Sequence, residues 1–181
     1  MLYPHPLMVL AALSLSCHGR AVDRRPKCNR STLPMRVYFD ASSEGYADKW
    51  MQSAVGWDLT LGTTAFVAVN TPVRADVIVF YGGRSKTHPE WYASTAYRCE
   101  DGWLAHTIEI HKDLTDRESF YVGMHEFGHT LGLDHSKDIR SIMHATLDVG
   151  PLATRPMPMI TSRDASMVRG IWADQLWEEC R

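Results

Sequence analysis

Apolar and polar side chains alternate through residues 35–40 (MRVYFD), with Val37 and Phe39 on one face, a pattern that predicts a β-strand. Tyr46, Trp50, Ala54, Trp57 and Leu61 then recur at three- and four-residue spacing. That spacing lines them along one face of an amphipathic helix, entered at Ser42 or Ser43 and stopped by Gly62. Residues 64–70 and 76–81 predict two further strands. The second (DVIVFY) is apolar almost throughout, as in a strand buried on both faces, and Gly82-Gly83 ends it before a polar loop that runs to Glu90. Residues 91–98 (WYASTAYR) are mixed and suit an edge strand, and 103–111 (WLAHTIEIH) alternate again. Thr115-Asp116-Arg117-Glu118 has the form of a capping box, which opens a helix by satisfying its free amides. This helix is expected to reach about Leu131, with Gly132 supplying a left-handed exit. A proline-rich loop over 150–160 leads to a last helix begun at Thr161 or Ser162 and carrying Met167, Ile171, Trp172 and Leu176. Helix and strand are mixed early and helix, loop and helix follow, so the expected class is α+β in one domain.

Composition narrows the function classes. A chain of 181 residues with 45% hydrophobic and 22% charged residues fits one soluble globular domain. The net charge of -2 gives no footing for a polyanion, and the one basic cluster (Arg24, Arg25, Lys27, Arg30) reads as a solvated arm, so no nucleic-acid partner is expected. The apolar run 7–15 is too short to cross a bilayer, which takes about 20 helical residues, but it suits the core of a secretory signal, although the preceding segment holds His5 and no Lys or Arg. Ser14-Leu15-Ser16 is a candidate cleavage recognition site, and Gly19-Arg20-Ala21 is a second. The expected layout is a signal peptide over 1–21, a short leader over 22–34 and a domain over 35–181, in a secreted or periplasmic protein without a transmembrane segment. Cys17 leaves open a lipid-anchored form. None of Cys17, Cys28, Cys99 and Cys180 forms a C-x-x-C pair, so disulfides are expected rather than a cysteine metal site, and Cys28 with Cys180 is one candidate pairing.

The chemistry concentrates in residues 125–135, HEFGHTLGLDH. His125 and His129 are four apart on the predicted helix and project from one face, one turn apart. Two imidazoles so placed can share one zinc ion. Glu126 follows the first histidine and points slightly off that face, so it can reach a metal-bound water without being a ligand. Gly132, lacking a Cβ, lets the chain turn sharply and return His135 to the metal. Three neutral ligands leave a fourth position for water, as catalysis requires.

The pattern HExxHxxGxxH resembles the signature of the metzincin zinc peptidases. With Ser136 after the third histidine, the stretch is most similar to the matrixins, the matrix-metalloprotease group. Metzincins also carry a methionine turn beneath the metal, and Ser141-Ile142-Met143-His144 stands eight residues after His135. SIMH is also similar to the astacins, but those place a metal-binding tyrosine where this chain has Ala145. The resemblance covers 35–177. Residues 77–80 resemble the family's buried strand, 102–106 its edge segment beside the cleft, and 161–172 its last helix.

The resemblance implies a metzincin-like fold and one catalytic Zn2+ held by His125, His129 and His135. It implies Glu126 as the general base of a zinc-dependent endopeptidase acting on proteins or peptides. A monomer is the default expectation. The strand near 91–98 is expected to align substrate by edge pairing, and residues 147–160 to wall the pocket beyond the scissile bond. Animal matrixins bind a second, structural zinc in a long loop. Here the loop is short, His88, Glu90, His106 and His111 read as surface groups, and no structural Zn2+ is expected. No carboxylate cluster has calcium-ligand spacing, so Ca2+ sites are left unplaced. Pro26-Lys27-Cys28-Asn29 is only faintly similar to the family's latency cysteine, and a disulfide is the preferred role for Cys28. Two other functions fit the sequence: a catalytically inactive zinc-binding interaction module, and an effector or toxin protease defined by its partner.

Overall fold

The computed structural model describes residues 31–100, 103–147, 149 and 157–173. The candidate signal and most of the leader, Cys17, Cys28, Cys180, Leu176 and residues 150–156 of the proline-rich loop lie outside the described residues. Five strands are present: β1 (Met35–Phe39), β2 (Phe66–Val69), β3 (Val77–Tyr81), β4 (Ala93–Glu100) and β5 (Trp103–Ile110). Three helices accompany them: α1 (Ala47–Leu61), α2 (Asp116–Thr130) and α3 (Ser162–Ile171). The sheet runs β2-β1-β3-β5-β4, parallel except for β4, which lies antiparallel to β5 at one edge. The fold is therefore α+β with a mixed five-stranded sheet, and the edge strand expected over 91–98 is found at Ala93–Glu100.

Two local expectations are corrected. A 3-10 turn (Glu44–Tyr46) precedes α1, so the α-helix proper starts at Ala47 rather than directly after Ser42 or Ser43. In α3 the inward face is Asp164, Val168 and Trp172, whereas Met167 is 42% exposed. Trp172 sets this phase, because its Nε1–H donates to Leu131 O at 3.0 Å and fixes which side of the helix docks. Ile171 also packs against the core, so among the described residues Met167 is the expected apolar position that turns outward.

α1 and α2 pack against each other through a mostly aromatic seam. The ring of Phe127 stacks on Phe66 at 4.4 Å and takes the edge of Trp50 at 5.8 Å, so one side chain joins α1, α2 and β2. Trp57 Nε1–H donates to Met124 O at 2.9 Å, pinning the two helices at the turn that carries the histidines. Gly128 makes this approach possible. A Cβ built there would overlap Met143 Sδ and stand 3.0 Å from the Trp57 ring, and both side chains are fully buried. Gly128→Ala is accordingly expected to cost about 1–3 kcal/mol of folding free energy, the usual range for overpacking a filled core. A thermal melt reads this directly, and a variant as stable as the parent would contradict so tight a contact.

Candidate active site

α2 begins where the sequence places it. Thr115 Oγ1 accepts from Glu118 N while Thr115 N donates to Glu118 Oε2, closing the capping box. From that fixed start, helical periodicity carries His125 and His129 to one face and buries Glu126 beside them. After Leu131 the chain turns through Gly132 at φ 93°, a backbone region open to glycine and strained for other residues. Leu133 N then donates to Gly128 O at 3.0 Å, folding the chain back along the helix. His135 thus returns to the other two histidines, and one ring nitrogen from each of the three lies within 4.8 Å of the others. Among the described residues this is the single group of three or more His, Cys, Asp or Glu side chains close enough to hold a metal ion.

The rings are oriented by carbonyls. His125 Nδ1–H donates to Ile142 O at 2.7 Å, and His129 Nδ1–H donates to Leu133 O at 2.8 Å. Each bond fixes a tautomer and leaves Nε2 unprotonated and facing inwards. The two Nε2 atoms stand 3.1 Å apart with lone pairs opposed, which favours a cation between them. A tetrahedral zinc with bonds of about 2.0–2.1 Å would set such nitrogens about 3.3–3.4 Å apart, so the donor set fits the ion. Burial acts in the same direction. It lowers His125 to about 4 and depresses His129 as well, keeping both rings in the neutral form that ligates.

Met143 is fully buried under this cluster. The turn that carries it is tied on three sides: Ser136 N to Met143 O at 2.7 Å, His144 N to Ser141 O at 3.0 Å, and Ile142 N to Met159 O at 2.7 Å. Ser141 Oγ bonds the buried Asp164 carboxylate at 2.7 Å, and that same oxygen caps α3 through Thr161. The start of α3 therefore holds the turn that orients His125. Asp164 escaped the sequence reading, although T-x-x-D at residues 161–164 is itself a capping signal.

Glu126 is 4% exposed. Loss of water pushes its carboxyl above the ordinary carboxylate range, while His129, Thr95 and His135 draw it back. Thr95, on edge strand β4, donates from Oγ1 to Glu126 Oε2 at 2.5 Å. No sequence pattern points to this residue. The histidines, Glu126, Thr95, Tyr97 and Leu147 line one cleft of about 1050 Å³, bounded on one side by β4.

Other expectations fare differently. Of the segment 102–106 expected at the edge, the described residues 103–106 lie instead in the inner strand β5 (Trp103–Ile110), and β4 stands between it and the open side. His106 and His111 are each 5% exposed, not surface groups as expected. They fall under the sheet's packing because both lie on an inner strand or at its end. His111 Nε2 shares a hydrogen bond with Ser94 Oγ at 2.9 Å, and burial lowers His106 to about 4.

Residues 85–172 match the family model described as matrixin. Among solved structures, archaemetzincin from Methanopyrus kandleri is 13% identical, with 84% of this chain and 99% of that one covered at a TM-score of 0.49. Myroilysin is 14% identical, with 76% and 78% covered at a TM-score of 0.48.

Proposed function

We propose, from the match of residues 85–172 to the matrixin family model, that the chain is an exported zinc-dependent endopeptidase of matrixin type using Glu126 as its general base. His125, His129 and His135 are the ligands of one catalytic ion. The observation that carries the proposal is the convergence of three histidine nitrogens within 4.8 Å beside a buried glutamate, in a cleft open along an edge strand. Zinc, when bound, supplies Lewis acidity to the scissile carbonyl and makes a coordinated water acidic enough to lose a proton near neutral pH.

The protein's own groups do the rest. β4 stands at the edge of the sheet, where an extended substrate can lie as a further strand. Pairing of that kind favours cleavage within a chain over trimming from an end, because it grips substrate on both sides of the scissile bond. Glu126 takes the proton of the attacking water and delivers it to the leaving amine, and its burial raises its basicity for that purpose. Leu147, at the cleft wall, favours an apolar side chain next to the bond cleaved. Export has separate support. Cys99 is disulfide-bonded, a state that persists in oxidising compartments. No helix among the described residues is long and apolar enough to cross a membrane.

Profiling on a mixed peptide library, with and without a zinc chelator, tests the proposal. Internal cleavage that stops on chelation and returns with added Zn2+ is the expected result. Cleavage that survives removal of zinc, or that removes only terminal residues, would overturn it.

A further inference from the structure

We infer that Thr95 is a positioning residue for the base: its hydroxyl holds Glu126 by one carboxylate oxygen and so dedicates the other to proton transfer. The inference rests on Glu126 being the base. Its observations are geometric. Thr95 Oγ1 lies 2.5 Å from Glu126 Oε2 and 3.5 Å from Glu126 O, so one hydroxyl reaches both the side chain and the main chain of the same residue. Thr95 pairs in register with Ile108, an inner-strand residue with no exposed surface, which fixes the height of the hydroxyl over α2. Thr95 reaches α2 from β4, while its neighbour Ser94 shares a hydrogen bond with His111 instead.

This placement answers a problem that burial creates. A carboxylate that is 4% exposed has lost most of its water and needs fixed donors. A threonine hydroxyl is both donor and acceptor, so it serves either charge state. While Glu126 is ionised, Thr95 donates to Oε2. Once Glu126 has taken a proton on Oε1, the Thr95 hydrogen can stay on Oε2 or turn to Glu126 O, its second acceptor. Neither state leaves a buried group bare, and the carboxylate need not rotate between taking the proton and giving it up. β4 is also the edge along which substrate pairs, so one strand sets both the substrate register and the position of the base.

The test compares Thr95→Val, which keeps the shape and removes the hydroxyl, with Thr95→Ser, which keeps the hydroxyl, and with Glu126→Gln. Each is loaded with zinc, checked for 1:1 metal content and thermal stability, and assayed on the cleaved library peptides. Binding of acetohydroxamate, which gives up a proton as it chelates zinc, provides a readout independent of turnover. Loss of a hydrogen bond to a charged group predicts a fall of about 10- to 100-fold in kcat for Thr95→Val, with KM near the parent value and hydroxamate affinity reduced. Thr95→Ser is expected within about threefold of the parent in both. Parent-like kcat and hydroxamate affinity in Thr95→Val overturn the inference, as does equal impairment of the Val and Ser variants, which would mark a packing role. If Glu126→Gln is inactive while Thr95→Val is parent-like, only the positioning role fails. If Glu126→Gln cleaves at the parent rate, the base assignment fails first.

Discussion

Glu126→Gln is expected to bind one zinc, melt no lower than the parent, and lose about 10²–10⁴ of kcat, the usual worth of a positioned general base. The substitution isolates proton transfer. Glutamine has the same length and branching, and its amide oxygen can still accept from Thr95 Oγ1, so the cleft keeps its shape. It cannot accept the proton that water must shed. Stability should hold or rise, because the exchange removes a charge from a site where it is 4% exposed and desolvated. Glu126→Asp is the companion variant. It retains basicity but withdraws the carboxylate by one methylene from Thr95 and the reacting water, so it should fall between parent and Gln. Metal analysis, a thermal melt and steady-state kinetics on one preparation separate the outcomes. A Gln variant that holds zinc and cleaves as fast as the parent would assign the base elsewhere.

The legible part of this site is the part set by local geometry. His125, Glu126 and His129 sit on one helix whose start is fixed by Thr115 and Glu118, so spacing alone orients them. His135 is legible through Gly132, since a turn at φ 93° is a local property written in one residue type. Thr95 is different in kind. It reaches Glu126 only because β4 pairs antiparallel with β5 and sets Thr95 opposite Ile108, a register fixed by contacts far apart in sequence. Ser141 and Asp164 are separated by 23 residues and meet through the docking of α3, which no periodicity encodes. The misplacement of residues 102–106 has the same origin. Composition suits 91–98 to an edge and the family resemblance suits 102–106 to one, and only the sheet order β2-β1-β3-β5-β4 decides between them.

Metal binding gives the other large effect, and it links the site to the fold. A ligand that binds only the native state stabilises it by about 4.1 kcal/mol when present at about a thousand times its Kd. For a domain of this size that corresponds to a rise in Tm of roughly 8–16 °C. The parent should show this rise on titration with zinc, and His129→Ala should not, with peptide cleavage falling to background. His129 is the sensitive position because its ring has two tasks: Nδ1–H holds Leu133 O at 2.8 Å while Nε2 faces His125 at 3.1 Å. Removing it deletes a proposed ligand and releases the turn that returns His135. His135→Ala is expected to be milder for the apo protein, since that ring is exposed and no described hydrogen bond of the fold passes through it. Its zinc response should nevertheless be lost. The two variants therefore separate the roles: both abolish the zinc-dependent rise in Tm, but only His129→Ala should also lower the melting point of the metal-free protein. A His135→Ala protein that still gains the full rise with zinc would exclude it from the coordination sphere and leave His125 and His129 needing a different third ligand.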